Sequence, residues 1–195
     1  MVLTPRAAKV TLKPALKDHR LANGMSPRPL LFIDVDGVIS TYFAGNSGVP
    51  GVGGDPANGP AGRFHMVDGI VHHIAEGMDR RIAALLPHFE SLWATGWGER
   101  ANEHLVYLLS LPGELEVVEF AVAPSTDGSG HWKLDALIER AGDTPAAWID
   151  DGHNEACIEW ASSRKAPTLL ISTDPFVGLT DEQVDELVGW AAQFG

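Results

Sequence analysis

The residues best suited to chemistry stand together in Asp34-Val35-Asp36-Gly37-Val38, directly after the apolar run Leu30, Leu31, Phe32 and Ile33. In an extended segment residues two apart point the same way. Asp34 and Asp36 therefore share a side, where like charges repel unless a cation or a proton intervenes. A carboxylate acts as a nucleophile toward phosphorus when a metal holds it beside the substrate oxygen, and a second acid must then protonate the leaving group. The pair offers both roles. Read alone, the same five residues also make a polar turn that closes a strand.

Three further segments add context. Trp93-Ala94-Thr95-Gly96-Trp97 ends a second apolar stretch with a hydroxyl and a glycine, a side-chain donor beside open backbone N–H groups that suit phosphate oxygens. By itself, a Thr there also reflects plain strand propensity. Lys133 stands at an expected helix start after Gly128-Ser129-Gly130. The helix dipole disfavours a cation at that end, which points to another task, such as neutralising a phosphate and the Asp34 carboxylate. The ordinary alternative is a solvated surface lysine, and Arg140, Arg164 and Lys165 are substitutes for the role. Ala147-Trp148-Ile149-Asp150-Asp151-Gly152 is an apolar stretch ending in two acids, hard oxygen ligands of the kind Mg²⁺ takes together with water and substrate. Asp151 or Asn154 also suits the N-cap of the next helix.

These segments need elements to position them. Short apolar runs recur at Leu30 to Val35, Ser91 to Thr95, Leu115 to Phe120, Ala146 to Ile149 and Thr168 to Ile171, and each reads as a strand buried on both faces. Helical patterns lie between and after them, at about Ala75 to Phe89, Asn102 to Leu109, Trp132 to Ala141, Asn154 to Ser163 and Asp181 to Phe194, with Thr180 as an N-cap. Strands alternating with helices predict an α/β fold with a doubly wound, parallel, five-stranded sheet, whose ligands bind at the carboxyl ends of the strands. Residues 40–74 break the pattern. Their first half is a Gly-rich loop, and Arg63 to Ile74 surround the turn signal Asp68-Gly69, which predicts a small β-hairpin flap over the end of the first strand.

The 195 residues suit one domain, expected over 28–195, behind a basic extension at 1–27 that holds Arg6, Lys9, Lys13, Lys17 and Arg20. The formal charge of −12 is the wrong sign for gripping nucleic acid through its phosphates. One cysteine, Cys157, cannot form an internal disulfide and reads as a buried small hydrophobe, so a reducing cytoplasm is the expected setting. No apolar run is long enough to cross a membrane.

In this order, the four segments resemble the motifs of the haloacid dehalogenase (HAD) superfamily, over roughly Leu30 to Ile171. Its first motif is matched by Leu31-Phe32-Ile33-Asp34-Val35-Asp36-Gly37-Val38, its second by Leu92-Trp93-Ala94-Thr95, its third by Lys133 and its fourth by Trp148-Ile149-Asp150-Asp151. The resemblance implies a HAD-like, Rossmannoid phosphatase with little or no cap. Asp34 would be the nucleophile and Asp36 the general acid and base. Mg²⁺ would be held by Asp34, the backbone carbonyl of Asp36 and one or both of Asp150 and Asp151. Thr95, the Gly96 amide and Lys133 would grip the phosphoryl oxygens. An acid at position 36 argues against carbon–halogen cleavage, and the short flap-like insertion argues against a mutase. The expected substrate is a small phosphomonoester. A nucleic-acid end phosphatase and a non-catalytic binding module with this fold stay open as alternatives, and a homodimer could supply the missing cap across an interface.

Among the remaining polar and aromatic residues, His65, His72 and His73 fall in or near the flap, where contact with substrate competes with simple solvation. Trp97 and Trp132 flank the phosphate segment, and packing at the strand edge is their expected role.

Overall fold

The computed structural model describes residues 28–42, 60–120 and 131–195. The basic extension, the most Gly-rich part of the insertion and Gly128-Ser129-Gly130 lie outside the described residues.

The expected five strands form one all-parallel sheet. β1 (Leu30–Ile33) is its centre, flanked by β5 (Glu90–Trp93) and β7 (Ala146–Asp150), with β6 (Glu116–Val117) and β8 (Thr168–Ser172) at the edges, in the order β6-β5-β1-β7-β8. Every residue of β1 and β7 is buried, because helices cover both faces of the sheet. Leu31, Ile33, Trp93, Ala147 and Ile149 face a core completed by α1 (Met78–Leu85), α2 (Arg100–Leu108) and α5 (Asp181–Ala191). Leu30, Phe32, Leu92, Ala146 and Trp148 face the opposite core, completed by α3 (Leu134–Ala141) and α4 (Glu155–Ser163). The alternation matters for the site. Extended past Ile33 and Ile149, it points Asp34 and Asp150 toward the α3 side.

The insertion folds as a small antiparallel sheet, ordered β2-β4-β3. β3 (Gly62–Val67) and β4 (Ile70–Ala75) form the expected hairpin, and its turn residues Asp68 and Gly69 have φ of 50° and 81°, the left-handed pair that a tight hairpin turn requires. β2 (Ser40–Thr41), expected as loop, pairs with Ile74 and His73 of β4. The chain thus leaves the end of β1 and joins the hairpin's sheet within a few residues.

Helix boundaries differ from expectation in one instructive place. The first helix begins at Met78 rather than Ala75, since Ala75 is the last residue of β4 and pairs with Gly62. Ile74 and Ala75 fit a strand and a helix equally well, and the break is made by Gly77 at φ 79°. Met78, Ile82 and Leu85 then supply the buried stripe. At the other end of the chain, α5 starts with a full capping box, the Thr180 side chain accepting from the Gln183 amide and the Gln183 side chain accepting from Thr180 N–H. The third expected strand is only the pair Glu116–Val117. Among the described residues no helix is long and apolar enough to cross a membrane.

Candidate active site

Strand order changes direction between β1 and β7: the connection after β1 runs toward β5, while the one after β7 runs outward to β8. Such a point leaves a crevice at the carboxyl ends of the two strands. Ile33 pairs with Ile149, and the Asp34 amide donates to the Ile149 carbonyl at 3.1 Å, so Asp34 and Asp150 stand abreast at that crevice.

Lys133, at the N-cap of α3, reaches into the same place. Its Nζ lies 2.6 Å from Asp34 Oδ2 and 2.7 Å from Asp150 Oδ2. The lysine is only 3% exposed, so the solvated-surface reading does not hold. The substitutes are engaged elsewhere or exposed: Arg140 pairs with Glu90 and Glu116, Arg164 donates to the Gly142 and Thr144 carbonyls, and Lys165 is exposed.

The two acids that share this lysine are differently placed. Asp150 takes four donors: Lys133 Nζ and Trp148 Nε1 on Oδ2, and Gly152 N and His131 Nε2 on Oδ1. The described donors to Asp34 are two, Val35 N at 2.8 Å and Lys133. Burial raises the proton affinity of both. At Asp34 burial dominates, the charge of Asp150 adds to it and Lys133 opposes it, and the carboxyl is pushed up to about 7. At Asp150 burial is outweighed by the His131 hydrogen bond and by Lys133, which hold the carboxyl below the usual range. Donor count separates the proton affinities of the two acids. His131 was not singled out in the sequence. Its Nδ1 accepts from the Lys133 amide at 3.3 Å, which leaves Nε2 as the protonated nitrogen facing Asp150. Its only sequence signal is its place two residues before Lys133.

Asp151 is the third acid. One carboxylate oxygen each from Asp34, Asp150 and Asp151 lies within 4.8 Å of the others, an arrangement able to hold a metal ion. Burial and the neighbouring Asp150 charge raise the Asp151 carboxyl above its ordinary range. Asp151 packs over Gly37, where an added Cβ would come within 2.4 Å of its carboxyl carbon. Gly37 also has φ 75°, so the glycine of the first acidic segment serves both backbone conformation and room for the third acid. Thr173 Oγ1 donates to the Gly37 carbonyl at 2.8 Å and ties this loop to the end of β8. Asn154, not Asp151, caps α4, accepting from the Cys157 amide. Cys157 is buried, as expected.

Thr95 is buried just beyond β5, and its hydroxyl accepts from the Trp97 amide at 3.3 Å. A Cβ added at Gly96 would stand at ordinary contact distance from the Trp132 indole. Asp36 is half-exposed, forms a bridge with Ser40 and accepts from Trp97 Nε1 at 2.9 Å. The indole of Trp97 thus bonds to an acid of the first segment, beyond the packing role expected for it. His72 and His73, expected as solvated loop residues, are buried in β4. His73 Nδ1 is 2.7 Å from Thr41 Oγ1, and His72 Nδ1 is 2.9 Å from Ser40 Oγ and 3.9 Å from Asp36 Oδ1. Burial lowers the pKa of both imidazoles. Pairing with β2 is what draws them inward; His65, on β3, stays half-buried. A separate cleft of about 630 Å³, lined by Gly77, Arg80, Arg81 and Asp181 among others, contains none of these acids.

Among the described residues, the arrangement brings together one lysine, three clustered carboxylates and a fourth acid held across from a histidine-bearing hairpin. The chain matches no known family model, and a search of curated proteins finds no significant relative.

Proposed function

We propose that this chain is a Mg²⁺-dependent phosphatase of the HAD type, hydrolysing a small phosphomonoester through a phosphorylated Asp34. The observation that carries this reading is the buried Lys133 held between Asp34 and Asp150 beside the acid cluster. Three carboxylates facing one ammonium group leave an excess of negative charge in a buried place, and a small hard dication is the partner that such oxygen donors fit. Asp34 and Asp151 are the natural ligands, with the Asp36 carbonyl as the resemblance implies. Asp150, already taking four donors, serves mainly to hold Lys133. A bound Mg²⁺ would supply charge neutralisation at the transferring phosphoryl group.

The chain's own residues divide the remaining work. An Asp34 carboxylate oxygen attacks phosphorus while the bond from phosphorus to the leaving oxygen breaks. Asp36 gives that oxygen a proton, so an alcohol departs. The Asp36 carboxylate then takes a proton from water, the water oxygen attacks phosphorus, and the bond to Asp34 breaks to release phosphate. Lys133, the Thr95 hydroxyl and the Gly96 amide hold the nonbridging oxygens, an attraction that grows as charge develops in the transition state. The acidic body favours a small substrate over a nucleic-acid terminus.

The test is hydrolysis of a simple aryl phosphate, with and without Mg²⁺, by the wild type and by Asp34→Asn. Metal-dependent activity that the substitution abolishes supports the reading. Undiminished activity in Asp34→Asn overturns it.

A further inference from the structure

Asp36 has a partner on each side that the phosphatase chemistry alone does not require. Trp97 Nε1 donates to its Oδ2 at 2.9 Å, and His72 Nδ1 stands 3.9 Å from its Oδ1. The two partners also touch each other, with the His72 and Trp97 rings 4.7 Å apart and edge to face. That same His72 nitrogen is bonded to Ser40 Oγ at 2.9 Å, next to the bridge that joins Ser40 to Asp36. Ser40 itself lies on β2, paired with Ile74 of the hairpin. A half-exposed carboxylate usually rotates freely. Here one oxygen is pinned by the loop after β5, and the other looks toward the flap.

An indole N–H is a donor and never an acceptor. When the carboxyl is protonated, the oxygen bonded to the indole is therefore the carbonyl oxygen, and the acid hydrogen stands on the other one. We propose that Trp97 is the positioning residue of Asp36: its indole N–H fixes Oδ2 as acceptor, so that Oδ1 is the oxygen that delivers and later collects the proton. His72 holds the indole in place through the ring contact. The inference rests on the phosphatase reading, in which Asp36 is the acid. In the first step the hydrogen passes from Oδ1 to the leaving oxygen as the phosphorus–oxygen bond breaks, leaving an Asp36 carboxylate whose Oδ2 is still bonded to Trp97. In the second, Oδ1 takes a proton from the attacking water as the phosphorus–Asp34 bond breaks.

A pinned acid matters in proportion to how much the leaving oxygen needs its proton. Trp97→Phe keeps an aromatic ring against His72 and removes only the N–H. Its effect is read as kcat/KM, which reports steps up to loss of the leaving group, on an alkyl phosphate and on nitrophenyl phosphate. General acid catalysis is worth about 10²- to 10⁴-fold, so loss of its positioning is expected to lower the alkyl value at least about tenfold, while the nitrophenyl value changes less than about threefold. In an Asp36→Asn background, Trp97→Phe is expected to add nothing further to the discrimination. An equal fall on both substrates, or a further fall in the Asp36→Asn background, overturns the inference and leaves the phosphatase reading standing. That reading fails separately, if Asp34→Asn retains activity. A measurement on intact Trp97 guards against a folding defect in the variant: one indole N–H proton resonance of the wild type is expected downfield and is expected to move upfield in Asp36→Asn. Six unmoved indole resonances would overturn the proposal as well.

Discussion

Lys133 and Asp34 form an ion pair 2.6 Å long in which the lysine side chain is 3% exposed and the aspartate side chain 9%. Burying two charges is costly, and removing one partner leaves the other without compensation, a loss of about 3–5 kcal/mol in typical cases. Lys133→Met, which keeps the length of the side chain, is expected to destabilise the metal-free protein by an amount of that order in urea unfolding and to abolish hydrolysis. Adding Asp34→Asn is expected to recover part of the stability and none of the activity. Independent, additive losses would show that the pair is not the linkage described.

The two acids of the second pair are expected to separate cleanly. Asp151→Asn removes a charge that its surroundings disfavour, so its melting temperature without metal should equal or exceed that of the wild type, while the upward shift on adding Mg²⁺ disappears. Asp150→Asn sets an amide N–H₂ among four donors, and a buried group left without its partner costs about 1–3 kcal/mol. That variant is expected to melt low with or without metal. Calorimetric scans of both proteins in EDTA and in Mg²⁺ check the contrast.

Gly37 offers a test of the room beside Asp151. A side chain there meets a φ of 75° and the Asp151 carboxyl at once. The backbone cost alone is about 1–3 kcal/mol. On the phosphatase reading, Gly37→Ala is expected to lose Mg²⁺-induced stabilisation to a greater degree than it loses thermal stability, because the methyl displaces the Asp151 carboxyl. Isothermal titration with Mg²⁺ measures the first and melting the second.

The raised proton affinity of Asp34 makes a prediction about pH. Its carboxyl titrates near 7 in the folded protein against 3.8 unfolded, so the folded state holds the proton more tightly. The stability this gives is fully present below about pH 4 and is lost as pH rises to 7 and above. His153, lowered to about 4 by burial, acts in the opposite sense, adding stability above pH 6.5 that is lost as pH falls. The informative quantity is therefore the difference between wild type and Asp34→Asn in EDTA. Relative to the variant, the wild type is expected to weaken steadily between pH 4 and 7, and a flat difference would contradict the assignment.

Much of the site was legible in the sequence because its parts lie at strand ends. An apolar run followed by an acid at once gives an element, its burial and the place where its side chain emerges. Asp34 and Asp150 were readable on those terms, and so was the hairpin through Asp68-Gly69. Contacts between segments distant in the chain were not. His131 meets Asp150 only because α3 delivers it there, and Trp97 meets Asp36 only because β5 lies beside β1. His72 and His73 carried no mark of burial of their own, since two adjacent histidines between Val71 and Ile74 look alike whether they face solvent or β2. Their neighbours were fixed by a two-residue strand too short to show a period. Lys133 was visible as an anomaly of local charge with Asp34 as its expected partner, and Asp150 became visible as the second only once the sheet order was known.

Interstrand hydrogen bonding sets how close Asp34 and Asp150 come. Neighbouring strands stand about 4.8 Å apart, and that spacing belongs to the backbone ladder rather than to any side chain. The repulsion between the two acids is consequently a load carried by the whole core, installed when the sheet forms and present before any substrate arrives. Whatever cation or phosphoryl group enters the crevice meets ligands that need not move. Little of its binding free energy is then spent on rearranging the protein, and the tightness of the resting site becomes a measure of how well the sheet itself is made.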